Sequence, residues 1–198
     1  MRYEKGRKDA SRRRIMAAAA QRFRKDGIAA SGLADIMSDA GLTNGAFYPH
    51  FPSKAALVRD SVGAALEDQS NRLREILAAG GLEGLIEAYL SPEHRDDPGK
   101  GCAAAALLPE LARQPLQTRR LCAERLLSVV RDMVKALPSR TQDREDVALG
   151  LYALLIGTLQ LARTVKGTPS SDHVLAAGAK AARTLLRRQV RHPDRSRA

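Results

Sequence analysis

The chain is predicted to be all-α, with about nine helices, and three observations predict it. Aromatic residues make up only 4% of its 198 residues, while alanine and leucine, both strong helix formers, are abundant. Runs of valine, isoleucine and threonine alternating with polar residues, the pattern of a half-buried strand, are absent. Apolar residues recur instead at three- and four-residue spacing, in stretches closed by glycine or proline. With 44% hydrophobic residues the chain can bury a real core in one or two domains.

Taken in order, a first helix is expected from about Asp9 to Asp26, with Ile15, Ala19 and Phe23 at i, i+4 and i+8 as its buried stripe. Gly27 ends it. Ser31 is positioned to cap a second helix whose Leu33, Ile36 and Met37 form one apolar face. Gly41 can take the left-handed conformation that closes a helix, letting Leu42 fold back onto the core. Thr43 can cap a third, carrying Asn44, Gly45, Ala46, Phe47 and Tyr48, which Pro49 should end near Tyr48 because it lacks an N–H and crowds the preceding turn. Two short helices joined by a glycine-containing turn are the layout of a helix-turn-helix, whose second helix enters the DNA major groove.

Pro52-Ser53 then starts a long helix to about Ala79, stopped by Gly80-Gly81, and 82–90 forms a shorter one. SPEHRDDPGKG reads as a loop. Gly101-Cys102 opens a helix that Pro109 should kink and Pro115 should break. Further helices follow from about Leu116 to Leu137, Val147 to Lys166 and Ser170 or Ser171 to Val190. The Val147–Lys166 segment is apolar around most of its circumference and so has to be buried on several sides.

The segment Gly41-Leu42-Thr43-Asn44-Gly45-Ala46-Phe47-Tyr48-Pro49-His50-Phe51-Pro52-Ser53-Lys54-Ala55-Ala56-Leu57 resembles the signature of the TetR/AcrR family of bacterial transcriptional regulators. The likeness runs from about Ala10 to Leu57. Two departures are Pro49 and Ala56, the latter standing where an acidic residue would complete a capping box with Ser53. The resemblance implies about nine helices: a three-helix DNA-binding domain over 1–52, then a larger helical effector-binding and dimerisation domain over 53–198. It implies a homodimer whose last two long helices pair across the interface. Gly150 and Gly157 in the apolar helix, which permit close approach, support that from the residues themselves.

For DNA contact the candidates are Thr43, Asn44, Tyr48, His50 and Lys54, supported by Ser31 and Arg12. Thr43 and Asn44 stand at a helix start, where N–H groups reach phosphate, and asparagine can read adenine. Tyr48 offers a hydroxyl; Phe47 and Phe51 read as core. His50 can equally contact the backbone or hydrogen-bond within its turn. The net charge of +11 implies a polyanionic partner, and Arg2, Lys5, Arg7, Lys8, Arg12, Arg13 and Arg14 lead directly into the helix-turn-helix. A second basic cluster, Arg183 to Arg197, reads as a cationic helix end followed by a tail.

In the larger domain the family resemblance implies a cavity for a small effector among the middle helices. Candidate lining residues are Leu85, Tyr89, Cys102, Leu107, Leu126, Val130, Tyr152, Ile156 and Gln160, with Gln160 as a polar anchor in an otherwise apolar wall. Each is also a natural core residue. Cys102 resembles the electrophile- or oxidant-sensing cysteine of one subgroup, since a helix start favours thiolate, but a small buried residue explains it as well.

Other classes are disfavoured. No G-x-S-x-G, phosphate loop or H-E-x-x-H occurs, and the four histidines, at 50, 94, 173 and 192, have no sequence neighbours suggesting catalysis. Neither metal nor cofactor is expected, and the cysteines at 102 and 122 show no metal spacing or disulfide framework. Without a run of ~18 apolar residues or a signal sequence, the expectation is a cytoplasmic protein with no membrane partner. A nonspecific architectural DNA binder remains the charge-driven alternative to a regulator of one palindromic operator.

Overall fold

The computed structural model describes residues 2–188, and over these it is all-helical, with no strand. Eight α-helices run in order: α1 Arg2–Asp26, α2 Leu33–Asp39, α3 Lys54–Tyr89, α4 Pro92–Asp96, α5 Ala103–Leu111, α6 Leu116–Ala136, α7 Arg144–Thr164 and α8 Ser170–Arg188. A single 3-10 turn, Asn44–Ala46, lies between α2 and α3. The chain forms two compact units. One comprises the residues up to 69 with 98–125, the other 70–97 with the described residues from 126 onward, so α3 and α6 each pass through both. The end of the last helix at Val190 and the basic residues Arg191, Arg195 and Arg197 lie outside the described residues.

In the first unit, Ile15, Ala19 and Phe23 are fully buried, as their spacing predicts. Ile36 and Met37 of α2 and Phe47, Phe51 and Leu57 complete the same small core. Gly27 closes α1 with φ +88°, its N–H donating to the Phe23 carbonyl at 2.9 Å. At the end of α2, Gly41 adopts φ +66° and the Leu42 N–H reaches back to the Met37 carbonyl at 2.9 Å, the hydrogen-bond pattern of a glycine-closed helix. The α3 start is capped as predicted, Ser53 Oγ accepting from the Ala56 N–H at 3.2 Å. α5 packs against α1 in this unit, and Pro109 falls in its last turn.

In the second unit α7 and α8 form a helical hairpin. Ala148, Leu151, Leu155, Leu159 and Ala162 of α7 are completely buried. The glycine that brings the two helices together is Gly178: a Cβ there would stand 2.2 Å from Thr158 Cγ2. Gly157 has nothing within 4 Å and Gly150 only a Leu185 methyl at 4.0 Å, so neither serves close packing inside the chain. By length and composition alone α7 could cross a membrane, yet seven of its residues are buried within the protein.

Several boundaries differ from expectation, two of them at breaks the sequence marks with glycine or proline. The predicted break at Gly80-Gly81 is a kink inside one helical run, with Gly81 at φ 60°, ψ −156°, backbone open only to glycine. The expected loop at 91–101 contains α4, because Ser91 Oγ accepts from the His94 N–H at 3.1 Å and Pro92 occupies the first helical position. α4 is then pinned within its unit. Arg163 donates to the His94 and Arg95 carbonyls at 2.7 and 3.2 Å, and Arg95 donates to Ser171 Oγ at 2.9 Å and pairs with Asp96 and Asp172.

Candidate nucleic-acid interface

The recognition segment is shorter than a helix. Ala46 N–H donates to the Thr43 carbonyl and Phe47 N–H to that of Asn44, giving one 3-10 turn, and a second turn is closed by His50 and Phe51 N–H groups on the Phe47 carbonyl. Pro49 explains the brevity: a continuing α-helix would need its N–H on the Gly45 carbonyl, and its ring would collide there. The helix expected over Thr43–Tyr48 is therefore two tight turns.

Two expected caps are not made. Thr43 holds the N-cap position with φ −75°, ψ 152°, but its side chain accepts no N–H. The N-cap of α2 is Gly32 and not Ser31; Ser31 is buried and its hydroxyl donates to the Gly27 carbonyl at 2.6 Å. With its hydroxyl used inside the α1–α2 turn, Ser31 shapes the module and presents nothing to a ligand.

Arg12 also turns inward. Its guanidinium bonds Asp60 Oδ2 of α3 at 2.6 Å, lies 4.7 Å over the Phe51 ring and reaches Met16 Sδ at 3.1 Å. Phe51 stacks on Phe47, centroids 5.8 Å apart, and Phe47 meets the Tyr48 ring edge-on at 5.4 Å. Thus Arg12, Phe51, Phe47 and Tyr48 form one stack from α1 to the recognition turns. Tyr48, at its outer end, is 72% exposed. Thr43, Asn44 and Gly45 are exposed beside it in sequence, and Lys54, half-buried, occupies the first residue of α3.

His50 is held by its backbone, while its Nδ1 is buried with no hydrogen-bond partner. Burial first, then the charges of Lys8 and Arg12, push its pKa below the ordinary histidine value. The imidazole thus makes no turn-fixing hydrogen bond through Nδ1. Lys8, one of the basic residues leading into the helix-turn-helix, contributes to that shift and is carried on a helix that begins at Arg2, well before the expected start at Asp9.

α1 and α2 are clamped on another side by Arg22, which bonds Asp39 Oδ2 at 2.7 Å and also neighbours Asp26 and Asp35. An open groove of about 610 Å³ lies here, lined by Ala17, Ala18 and Ala40, by the cations Arg14, Arg22 and Lys25, and by the carboxylates Asp26 and Asp39. Thr43, Asn44, Tyr48, His50, Lys54, Ser31 and Arg12 lie outside its lining, whereas Arg14, one of the basic residues leading into the helix-turn-helix, belongs to it. The expected effector residues do not fall in one unit: Cys102 and Leu107 belong to the first, and Leu85, Tyr89, Leu126, Val130, Tyr152, Ile156 and Gln160 to the second. Leu126, Ile156 and Gln160 are half-buried and the others buried. Both cysteines are free and buried, and burial pushes the Cys122 thiol up. Among the described residues no group of three or more His, Cys, Asp or Glu could hold a metal.

A short helix, a glycine-closed turn and a solvent-facing second segment stacked on the first helix define a helix-turn-helix DNA-binding module. Residues 15–60 match the model of the bacterial regulatory proteins of the tetR family. That match spans the later part of α1, α2, the recognition turns and the start of α3, so the part of the chain shown to be tetR-like is its DNA-binding module. Over 73 residues it is 34% identical to the HTH-type transcriptional repressor KstR2 of Rhodococcus jostii (strain RHA1), a match covering 37% of this chain and 36% of that protein. Solved structures share the fold over most of their length. A TetR-family transcriptional regulator from Cytophaga hutchinsonii aligns with a TM-score of 0.76 at 21% identity, covering 92% of this chain and 96% of that one. The reduced form of E. coli NemR aligns at 0.70 and 20% identity, covering 85% and 94%.

Proposed function

We propose that this chain is a homodimeric, sequence-specific DNA-binding repressor of the cytoplasm, released from a palindromic operator by a small-molecule effector. The observation that carries this reading is the recognition turn: Thr43, Asn44, Gly45 and Tyr48 are exposed on a frame fixed by the Arg12–Phe51–Phe47 stack. Asn44 and Tyr48 are the side chains to read or position DNA, with Thr43, His50 and Lys54 beside the phosphate backbone. Arg12 and Ser31 serve by holding the frame. Lys8 joins the cations that neutralise phosphate.

Function divides at about residue 52, DNA reading before it and effector binding with dimerisation after it. α7 supports a dimer, because Leu149 and Leu161 are exposed and Gly150 and Gly157 leave open surface for a second copy. An apolar or lightly polar effector suits walls such as Leu85, Val130, Tyr152 and Ile156, with Gln160 as polar anchor. Its binding would shift the dimer between an operator-competent and a released state. A second reading draws on the setting of Cys102, whose Sγ accepts from Gln69 Nε2 at 2.8 Å and from the Ala105 N–H at 3.2 Å. Modification of that sulfur would remove both bonds and make the same repressor redox- or electrophile-responsive.

The test is DNase footprinting and binding at about 150 mM salt against the duplexes flanking the protein's own coding sequence. Protection of one palindrome, with half-sites about one helical turn apart or more, supports the reading. Uniform weak binding that vanishes with salt would leave a charge-driven architectural binder instead.

A further inference from the structure

α5 is fixed at both ends by side-chain hydrogen bonds. At its start, the buried Gln69 of α3 accepts the Ala103 N–H on Oε1 at 3.0 Å and donates from Nε2 to Cys102 Sγ. At its end, the Glu110 carboxylate spans two backbone amides of the α1–α2 turn: Oε1 accepts from Ile28 N–H at 3.1 Å and Oε2 from Ala29 N–H at 3.0 Å. Gly27 makes room for this carboxylate, since a Cβ there would stand 2.8 Å from Oε1. Arg24 Nε adds a bond to the Gly99 carbonyl at 2.7 Å, just ahead of α5. Charge-assisted bonds to two adjacent amides fix the direction of a peptide segment more firmly than one neutral bond.

We propose that Glu110 is a positioning residue for DNA recognition: by gripping the α1–α2 turn from α5, it sets the attitude at which the helix-turn-helix presents Asn44 and Tyr48. The inference rests on the DNA-binding reading above. It adds that sequence discrimination, unlike phosphate affinity, depends on a carboxylate that touches no DNA. Phosphate contacts tolerate a shifted module because any cation near the backbone is attracted, whereas base contacts need the module in register.

The test compares the full-length wild type with Glu110→Gln and Glu110→Asp. The first keeps one acceptor but sets an NH2 group against the other amide; the second keeps the charge and loses the reach. Affinity is measured for the footprinted palindrome and for a scrambled duplex, together with the urea unfolding midpoint and hydrogen exchange at Ile28 and Ala29. The expected result is faster exchange at both amides and a fall of about tenfold in the palindrome-to-scrambled affinity ratio. Binding to the scrambled duplex stays within about twofold and the midpoint stays near that of the wild type. Should Glu110→Gln fail to fold, Glu110→Asp gives the same comparison. A wild type with clear preference that the folded variants retain overturns this inference alone, as does a loss that follows the unfolding midpoint equally for both duplexes. A wild type with no preference overturns the DNA-regulator reading, and this inference with it.

Discussion

Two histidines and one lysine carry measurable consequences. His94 sits edge-on to Tyr89 at 4.7 Å with Nδ1 hydrogen-bonded to the Tyr89 carbonyl at 2.7 Å, which makes that nitrogen the donor. Burial is the main influence on it and lowers its pKa, with Arg163 and Arg72 acting the same way and the Tyr89 bond opposing them. A histidine whose folded pKa lies below its unfolded value favours folding fully above about pH 6.5, and that contribution is lost as pH falls toward the folded pKa. His50 is shifted in the same direction. The melting temperature should therefore drop between pH 7.5 and 5. Thermal scans of His94→Asn, which can keep the donor to Tyr89 but cannot titrate, should show a smaller drop. Lys54 is tested through salt: Lys54→Ala should lower the magnitude of the log–log slope of DNA affinity against salt by about one, and an unchanged slope would remove it from the phosphate contacts. The sequence exposed such residues unevenly. Ile15, Ala19 and Phe23 were legible because burial repeats with the helix period, whereas Ser31, Thr43 and Ser53 look alike in sequence. Only the backbone decides that Ser53 caps a helix and the other two do not. Arg12 was legible as a cation near the module, but Asp60, its partner 48 residues away, was not.

At the scale of elements, glycine and proline place the breaks, but their meaning depends on what packs against them. Pro49 was legible as the end of the recognition helix; that the segment would shrink to a 3-10 turn followed by a second turn follows from the missing Pro49 N–H acting on a helix only one turn long. α4 escaped notice because five residues carry too little periodicity to be seen, and only its Ser91 cap and Pro92 marked it. The α7–α8 hairpin offers the sharpest test of an element contact. Gly178→Ala should cost about 1–3 kcal/mol by forcing Thr158 off the crossing, measurable as a lower urea midpoint with unchanged slope. Gly157→Ala, with nothing within 4 Å, should cost far less in a monomeric chain, since alanine is the better helix former. A comparable loss at both positions in a dissociated chain would contradict this placement of the close contact. In a dimer, Gly157→Ala becomes informative for another reason.

One face of α7 is left uncovered within the chain. Its sequence predicts burial on several sides, yet Leu161 is 54% and Leu149 48% exposed, and Gly150, Ala153 and Gly157 are exposed as well. These positions recur at helical spacing along one side of α7, while the opposite side, with Leu151, Leu155 and Leu159, is fully buried. The full extent of the apolar surface was legible in the sequence. Its division into an inward face and an uncovered one was not, because periodicity cannot tell burial within a chain from burial between chains. The effector residues show the same limit: apolar character marked them as interior, but not that Cys102 and Leu107 would join the unit carrying the helix-turn-helix. A second copy is the occupant that a self-complementary stripe of small and apolar residues suits, as small residues let two helices approach and the leucines then interlock. Leu161→Asp, which places a charge on that exposed stripe without entering the core, should leave helix content unchanged. It should convert a dimer to a monomer in sedimentation equilibrium at micromolar concentration, since an unpaired carboxylate buried at an interface costs several kcal/mol. Gly157→Ala should weaken the same dimer by wedging the helices apart. Both variants should lose affinity for a full palindrome far more than for an isolated half-site, because only a dimer engages both halves at once. A Leu161→Asp chain that stays dimeric and protects the whole palindrome would move the interface off α7.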